Sequence, residues 1–462
     1  MMRIAQAAQA LGARCTGGDA EFTAVSTDSR AIKRGELFVA LKGEHFDGHA
    51  FLAQAAAAGA AGVLVECASA DLKLAQIVVN DSLAALGRLG NYWRGQFKIP
   101  LVALTGSNGK TTVKEMLAAI LREACKATQS PILDPQSCVL ATRGNLNNHI
   151  GVPLTLLELR REHRYAVIEM GMNHPGEIAQ LAALAAPTVA LVNNAQREHM
   201  EFMSTVEAVA AENAAVFAAL PADGTAVINA DDAFAGYFRC AAGERRVVDF
   251  GAGTTAAVSG GYVLKQLSSE IRVRTPAGDT AATLAIPGLH NVRNALAACA
   301  CAHAVGVAPE TLGAGLDNFR PYTGRMQVKR ALNGATVIDD TYNANPDSVR
   351  AAIDVLAKCA PPTVLVLGDM GEVGERGAEY HREVGAYARS GNISSLFALG
   401  EQSRNAVLAF GAAGVHADSL DGLLYMVRES AAPGATLLVK GSRFMRMERV
   451  VDALTGDAGG TH

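Results

Sequence analysis

The stretch LVALTGSNGKTT, residues 101–112, governs how this chain is read. LVALT is a short, continuous apolar run, which fits a strand buried on both faces. GSNGKTT then turns the chain into an apolar-periodic segment, which predicts a helix to about Ala124. Glycines at 106 and 109 allow a tight turn whose N–H groups face a phosphate at the positive end of that helix. Lys110 can neutralise β and γ oxygens, and the Thr111 hydroxyl can ligate Mg²⁺. The strict spacing of such loops puts a glycine where Leu104 stands, so Gly106 supplies the early turn instead. An incidental glycine turn would not bring strand, GKT and helix into agreement. Gly106, Ser107, Asn108, Gly109, Lys110, Thr111 and Thr112 are therefore expected to cradle the phosphates of ATP.

Outward from this loop the pattern is strand and helix in alternation. Upstream, strands are predicted at 37–41, 62–65 and 77–79, with helical spacing at 53–58 and 83–94, and Lys98-Ile99-Pro100 punctuates the chain. Downstream, strands are predicted at 165–169, 189–192 and 225–228 between alanine-rich helices. After Asn318-Phe319-Arg320-Pro321 a third unit opens, with strands at 336–339, 363–367, 396–399 and 436–439. The expected fold is α/β in three domains. Residues 1–98 form a small α/β N-terminal domain, 99–320 a central P-loop ATPase-like parallel sheet, and 321–462 a C-terminal dinucleotide-fold-like domain.

Composition excludes several classes. The chain has 462 residues, a formal net charge of −4, 50% hydrophobic and 19% charged residues. No basic block offers a nucleic-acid or polybasic membrane surface. The N-terminus lacks an apolar h-region, and no apolar run approaches the ~20 residues needed to span a bilayer. Eight cysteines are scattered without a CxxC pair, and Cys299 with Cys301 reads as small core filling. A cytoplasmic monomer without nucleic-acid or membrane partners is expected.

Further residues carry chemistry by position. Glu169 ends a predicted parallel strand, where side chains reach the ligand crevice, and is read as a Mg²⁺ holder or a solvated strand-end acid. His199 lies on a similar loop, with metal binding and a structural role both open. Asn291 and Asn294 share a helix face and either present amides to a base or cap the helix. Arg325 offers a planar fork to phosphate, and Asp340 at a strand end can accept ribose hydroxyls. No NKxD segment supports a GTPase switch, and the third unit opens without the GxGxxG of a nicotinamide oxidoreductase.

Taken in order, TGSNGKTT, IEMG, NN…EH, GLHNVRNA and the strand ending at Asp340 resemble the Mur ligase family, which includes folylpolyglutamate synthase. STDSR at 26–30, GNLNN at 144–148 with IGVPLTLLEL, IDDTYNANPDS, LGDMGEVGERGAEYH and VKGSRFMRMERVV resemble its D-alanyl-D-alanine-adding members. The resemblance implies an ATP-dependent ligase whose N-terminal domain holds a UDP-N-acetylmuramoyl-tripeptide and whose C-terminal domain admits D-alanyl-D-alanine. It implies catalytic roles for Lys110, Glu169 and His199, with Thr111, Glu169 and His199 on magnesium. Asn291, Asn294, Arg325 and Asp340 go to ATP. Thr27, Asp28, Ser29 and Arg30 go to the uridine diphosphate, and Asn145 with Asn147 to the muramoyl peptide. One position departs. Most members carry a lysine whose carbamate helps bind a second magnesium; here the matching residue is Asn213. A carbamate-free enzyme is expected.

Overall fold

The structure is a computed structural model that describes residues 1–43, 46–127, 137–253 and 255–457. An N-terminal sheet holds β1 (Arg14–Thr16), β2 (Ala24–Ser26), β3 (Glu36–Val39), β4 (Gly62–Val65) and β5 (Ala75–Val78), in the order β1-β5-β4-β3-β2. All its pairings are parallel except that of β1 with β5. Leu37, Val39, Leu64 and Ile77 are fully buried there, as expected for strands with little contact with water.

The central sheet is built on β6 (Leu101–Thr105), β7 (Val139–Ala141), β8 (Tyr165–Glu169), β9 (Val189–Val192), β10 (Thr225–Asn229) and β11 (Arg246–Gly251). It continues through β12 (Val258–Leu264), β13 (Ser269–Thr275) and β14 (Gly278–Leu284), in the order β14-β13-β12-β11-β10-β9-β6-β8-β7. The pairings from β7 to β12 are parallel, and β12 to β14 form an antiparallel extension. That extension was not among the predicted strands. Yet in β13, Ile271 and Val273 point inward while Glu270, Arg272 and Arg274 face water, the period-2 alternation of a half-covered strand.

Helix α1 (Lys110–Ala127) follows the glycine loop, and α2 (Glu177–Ala185) follows β8. The alanine-rich α3 (Leu289–Ala304) packs on α1 beneath the sheet, burying Leu296, Cys299 and Cys301 beside Val113, Leu117 and Ile120. Burial pushes the Cys299 thiol up to about 12, so it serves as core filling. Cys125 at the end of α1 and Cys138 just before β7 are joined as a disulfide. Their separation of 13 residues gave no motif.

The C-terminal sheet comprises β15 (Gln327–Arg330), β16 (Thr336–Asp340), β17 (Thr363–Gly368), β18 (Ser395–Leu399), β19 (Gly414–Ala417) and β20 (Thr436–Lys440), in the order β15-β16-β20-β17-β18-β19. Only β15 pairs antiparallel. Helices α4 (Pro346–Leu356) and α5 (Gly377–Ser390) face the central sheet's loops. Among the described residues no helix is long and apolar enough to cross a membrane.

Candidate active site

Strand β6 lies between β8 and β9, the point where the strand order reverses, and its C-terminal end opens into the crevice such sheets offer to ligands. Glu169 ends β8 level with Leu104, and Val192 ends β9 level with Thr105, so their loops flank residues 106–109. Gly106 and Gly109 take φ of 132° and 83°, conformations closed to most side chains. A Cβ on Gly109 would sit 2.2 Å from Oδ1 of Asn294. Asn193 and Asn194 clasp the loop: both donate to the carbonyl of Asn108, at 2.8 and 2.9 Å. The N–H groups of Ser107 and Asn108 are already given to Asn194. The first turn of α1 keeps N–H groups without intrahelical partners, an arrangement suited to a phosphate.

Lys110 extends back across the loop, donating to the carbonyl of Gly106 at 2.6 Å and to Glu198 at 3.0 Å. Thr111 gives its hydroxyl to Oε1 of Glu169 at 3.3 Å, and Asn147 donates to the same oxygen at 2.9 Å. Oε2 of Glu169 is buried without a hydrogen bond, with Nζ of Lys114 at 3.7 Å. An orphaned anionic oxygen beside a hydroxyl suits a hard cation. Among the described residues no three His, Cys, Asp or Glu side chains gather closely enough to hold a metal alone. Any magnesium would have to complete its shell with substrate oxygens and water, as Mg²⁺ commonly does. His199, with φ of 51°, sets Nδ1 at 2.7 Å from Glu372 of the third unit and Nε2 at 3.6 Å from Glu198. The proximity of His199 holds the Glu372 carboxyl below its usual range.

Two cavities meet here. One of about 200 Å³ is lined by Asn108, Asn229, His290, Asn291, Asn294 and Asp340. The other, about 360 Å³, runs from Lys110 past Asn145, Asn147, Glu169 and His199 to Arg443. Arg325 stands in both, its guanidinium 4.0 Å over the Tyr342 ring and 3.3 Å from the Thr111 hydroxyl.

Several expected side chains are engaged within the protein. Asn291 donates to the carbonyl of Pro287 at 2.7 Å and accepts from Asn294 at 3.1 Å, so the two amides bond each other beside the cavity. Asp340 takes Nζ of Lys440 at 2.5 Å and the N–H of Met326 at 3.1 Å. Thr27, Asp28, Ser29 and Arg30 lie outside both cavities. Arg30 folds onto Asp28 at 2.8 and 2.9 Å, holding that carboxyl down at about 2. Asn213 is fully buried: it accepts from Thr105 at 2.6 Å and donates to the carbonyl of Val209 at 3.0 Å. Its neighbour Glu212 turns away to cap α2 through the N–H groups of Gly176 and Ile178. Sequence reading missed Glu198, Glu372 and Lys440. Lys440 was accessible by the rule that marked Glu169, since it ends the parallel strand β20. The other two depend on loops whose paths the sequence does not encode locally.

Three family models match in order along the chain: "Mur ligase family, catalytic domain" over residues 21–94, "Mur ligase middle domain" over 104–302, and "Mur ligase, glutamate ligase domain" over 324–443. The chain belongs to the Mur ligase family. It is 40% identical over 456 residues to the UDP-N-acetylmuramoyl-tripeptide–D-alanyl-D-alanine ligase of Escherichia coli (strain K12), covering 98% of each chain. The ligase of the same name from Bacillus subtilis (strain 168) is 34% identical over 445 residues, with 93% of this chain and 92% of the relative covered. Among solved structures, a MurF from Acinetobacter baumannii superposes with TM-score 0.89 at 34% identity over 98% of each chain. The MurF ligase of Thermotoga maritima in complex with ADP gives TM-score 0.81 at 25% identity over 93% of this chain and 96% of that one. The expected three-domain α/β fold of Mur ligases is thus the fold of this chain.

Proposed function

We propose that this Mur ligase joins D-alanyl-D-alanine to a UDP-N-acetylmuramoyl-tripeptide, consuming ATP and releasing ADP and phosphate. Full-length likeness to ligases of that name supports the substrates. The observation that carries the chemistry is the reach of Arg325, from the third unit, to Thr111 on the phosphate-binding loop, where the two cavities adjoin. A nucleotide in the smaller cavity would direct its terminal phosphate toward Lys110 and the larger one, which holds Asn145 and Asn147 at one side and Arg443 at the other.

In this reading the tripeptide's terminal carboxylate attacks the γ-phosphorus, the bond to the β-phosphate oxygen breaks, and ADP departs from an acyl phosphate. Lys110 leaves Glu198 for the transferring phosphoryl group, and Arg325 adds a second positive charge. The dipeptide amine then attacks the acyl carbon, and phosphate leaves as the amine proton passes to a base. Thr111, Glu169 and His199 would hold Mg²⁺, which when bound neutralises phosphate charge. Asn147 orients Glu169 for that task through its 2.9 Å hydrogen bond. The reading also includes a monomer working in the cytoplasm.

The test is phosphate release with a panel of UDP-muramoyl peptides and acceptor amines. Phosphate and ADP should appear when tripeptide, ATP and D-alanyl-D-alanine are all present. Hydroxylamine in place of the dipeptide should trap a hydroxamate. Formation of AMP and pyrophosphate, or preference for a single amino acid as acceptor, would overturn the proposal.

A further inference from the structure

Residues 196–201 touch both the phosphate-binding loop and the third unit. On the loop side, the N–H of Gln196 donates to Oγ of Ser107 at 2.9 Å, and its side-chain oxygen accepts from Asn108 at 2.7 Å. Glu198 pairs with Lys110 at 3.0 Å. On the other side, Arg197, which lines neither cavity, extends into the third unit, where its partner Asp347 lines the smaller cavity. Its guanidinium bonds Asp347 at the start of α4 at 2.6 Å and Glu383 of α5 at 2.7 and 3.0 Å. Its backbone N–H also donates to Asp347, at 3.0 Å, and its guanidinium lies 5.2 Å over the Tyr380 ring. Two residues on, His199 meets Glu372, and the N–H of Glu201 donates to the Glu372 carbonyl at 3.2 Å.

Both residues at that meeting are strained. His199 has φ of 51° and Glu372 φ of 57°, left-handed values that a non-glycine residue holds only where its surroundings impose them. Contacts on either side surround them, among them the forked, two-carboxylate anchorage of Arg197. A planar guanidinium bound by acids from two separate helices fixes direction as well as distance. Releasing it would leave the 196–201 strap held to the third unit only by the Arg197 N–H and by the contacts of His199 and Glu201 with Glu372, with more room for His199 to relax from its strained backbone.

We infer that Arg197 is a positioning residue: docked on Asp347 and Glu383, it makes the presentation of His199 to the nucleotide's metal depend on the third unit being in place. This rests on the reading of Thr111, Glu169 and His199 as the magnesium site. Arg197 touches neither substrate nor metal; it acts through the strap. Groups that only orient a ligand typically change metal affinity about 10–100-fold when lost.

The experiment measures binding of the β,γ-imido analogue of ATP to the full-length protein, with and without Mg²⁺, by calorimetry. Wild-type protein should bind more tightly with Mg²⁺; absence of that enhancement would fail the magnesium reading itself rather than this inference. In Arg197→Ala, affinity without Mg²⁺ should stay within about twofold of wild type, while the Mg²⁺ enhancement falls by about tenfold or more. Arg197→Lys, which keeps a charge but not the fork, should recover part of it. Glu383→Gln, at the carboxylate that lines neither cavity, should reproduce part of the loss from the opposite side, and serves as the test if Arg197→Ala does not fold. An Arg197→Ala protein of reduced heat stability but undiminished Mg²⁺ enhancement would overturn the inference, leaving Arg197 a bridge between domains and nothing more.

Discussion

Replacing Lys110 with alanine removes a cation that balances Glu198 in the structure and would meet the γ-phosphate in the reaction. Turnover should fall by at least about 10²-fold, the usual loss for a group stabilising transition-state charge. Near-UV dichroism should show the fold retained, and near-normal turnover would remove Lys110 from the mechanism. Asn213 makes a different prediction. Its amide cannot form a carbamate and is committed to Thr105 and Val209. Turnover should be indifferent to thorough carbon dioxide depletion; a loss restored by bicarbonate would show that a lysine elsewhere carries the group. His290 sets an acid limit. Burial lowers its pKa from the usual 6.5 to about 4, so the folded state favours the neutral ring. Stability from this group is complete above pH 6.5 and declines as pH falls toward 4, by up to about 3 kcal/mol for a shift of this size. Denaturant midpoints measured from pH 7 to 4 should fall less steeply in His290→Gln than in wild type.

At the scale of elements, α4 serves both its own domain and the neighbouring one. Asn345 caps it in a capping box, accepting from the N–H of Ser348 at 2.8 Å while its own N–H goes to the Ser348 hydroxyl at 3.0 Å. The other half of the amide reaches Asn108 on the phosphate-binding loop at 2.9 Å. The two roles separate by substitution. Asn345→Ala should cost about 1 kcal/mol through the lost cap and also weaken nucleotide binding. Asn345→Ser keeps a cap but cannot reach Asn108, so heat stability should recover while nucleotide affinity does not. Equal recovery of both in the serine variant would show that only the cap matters. Such a link was invisible in IDDTYNANPDS, where Asn345-Pro346 announces a helix start but not what lies opposite it.

For the whole molecule, the second and third units share one buried apolar cluster, and around it their contacts are polar: Arg197 with Asp347 and Glu383, Arg325 with Thr111, Asn345 with Asn108. Polar interfaces within a chain allow relative domain motion. Solution scattering should therefore give a larger radius of gyration for the free protein than for protein with ATP analogue and UDP-muramoyl substrate. An unchanged radius, with nucleotide affinity indifferent to Asp340→Asn, would count against closure around the nucleotide. Asparagine is the better probe than alanine, because its carbonyl oxygen can still accept from Lys440 although the charge is gone. Lys440 is buried against Asp340, and deleting one partner of a buried pair typically costs about 3–5 kcal/mol irrespective of function.

The sequence by itself determined the strands β3 to β5, β6, β8 to β10, β16 to β18 and β20, the glycine loop and the strand-end position of Glu169. Each of these depends on interactions within a few residues: apolar runs, glycine's access to positive φ, and a helix's unpaired first N–H groups. It also carried the alternation of β13, which was there to be read in SEIRVRT. Only the tertiary structure decided which polar groups remain available. Asp340 and Asn291 carry no partner that the sequence reveals, yet Lys440 and Pro287 each take part of their hydrogen-bonding capacity. Glu372 reaches His199 across 173 positions of chain, and Arg197 reaches Glu383 across 186. No local pattern encodes such pairs, because the free energy that joins them comes from the packing of whole domains, which brings distant loops to the same place.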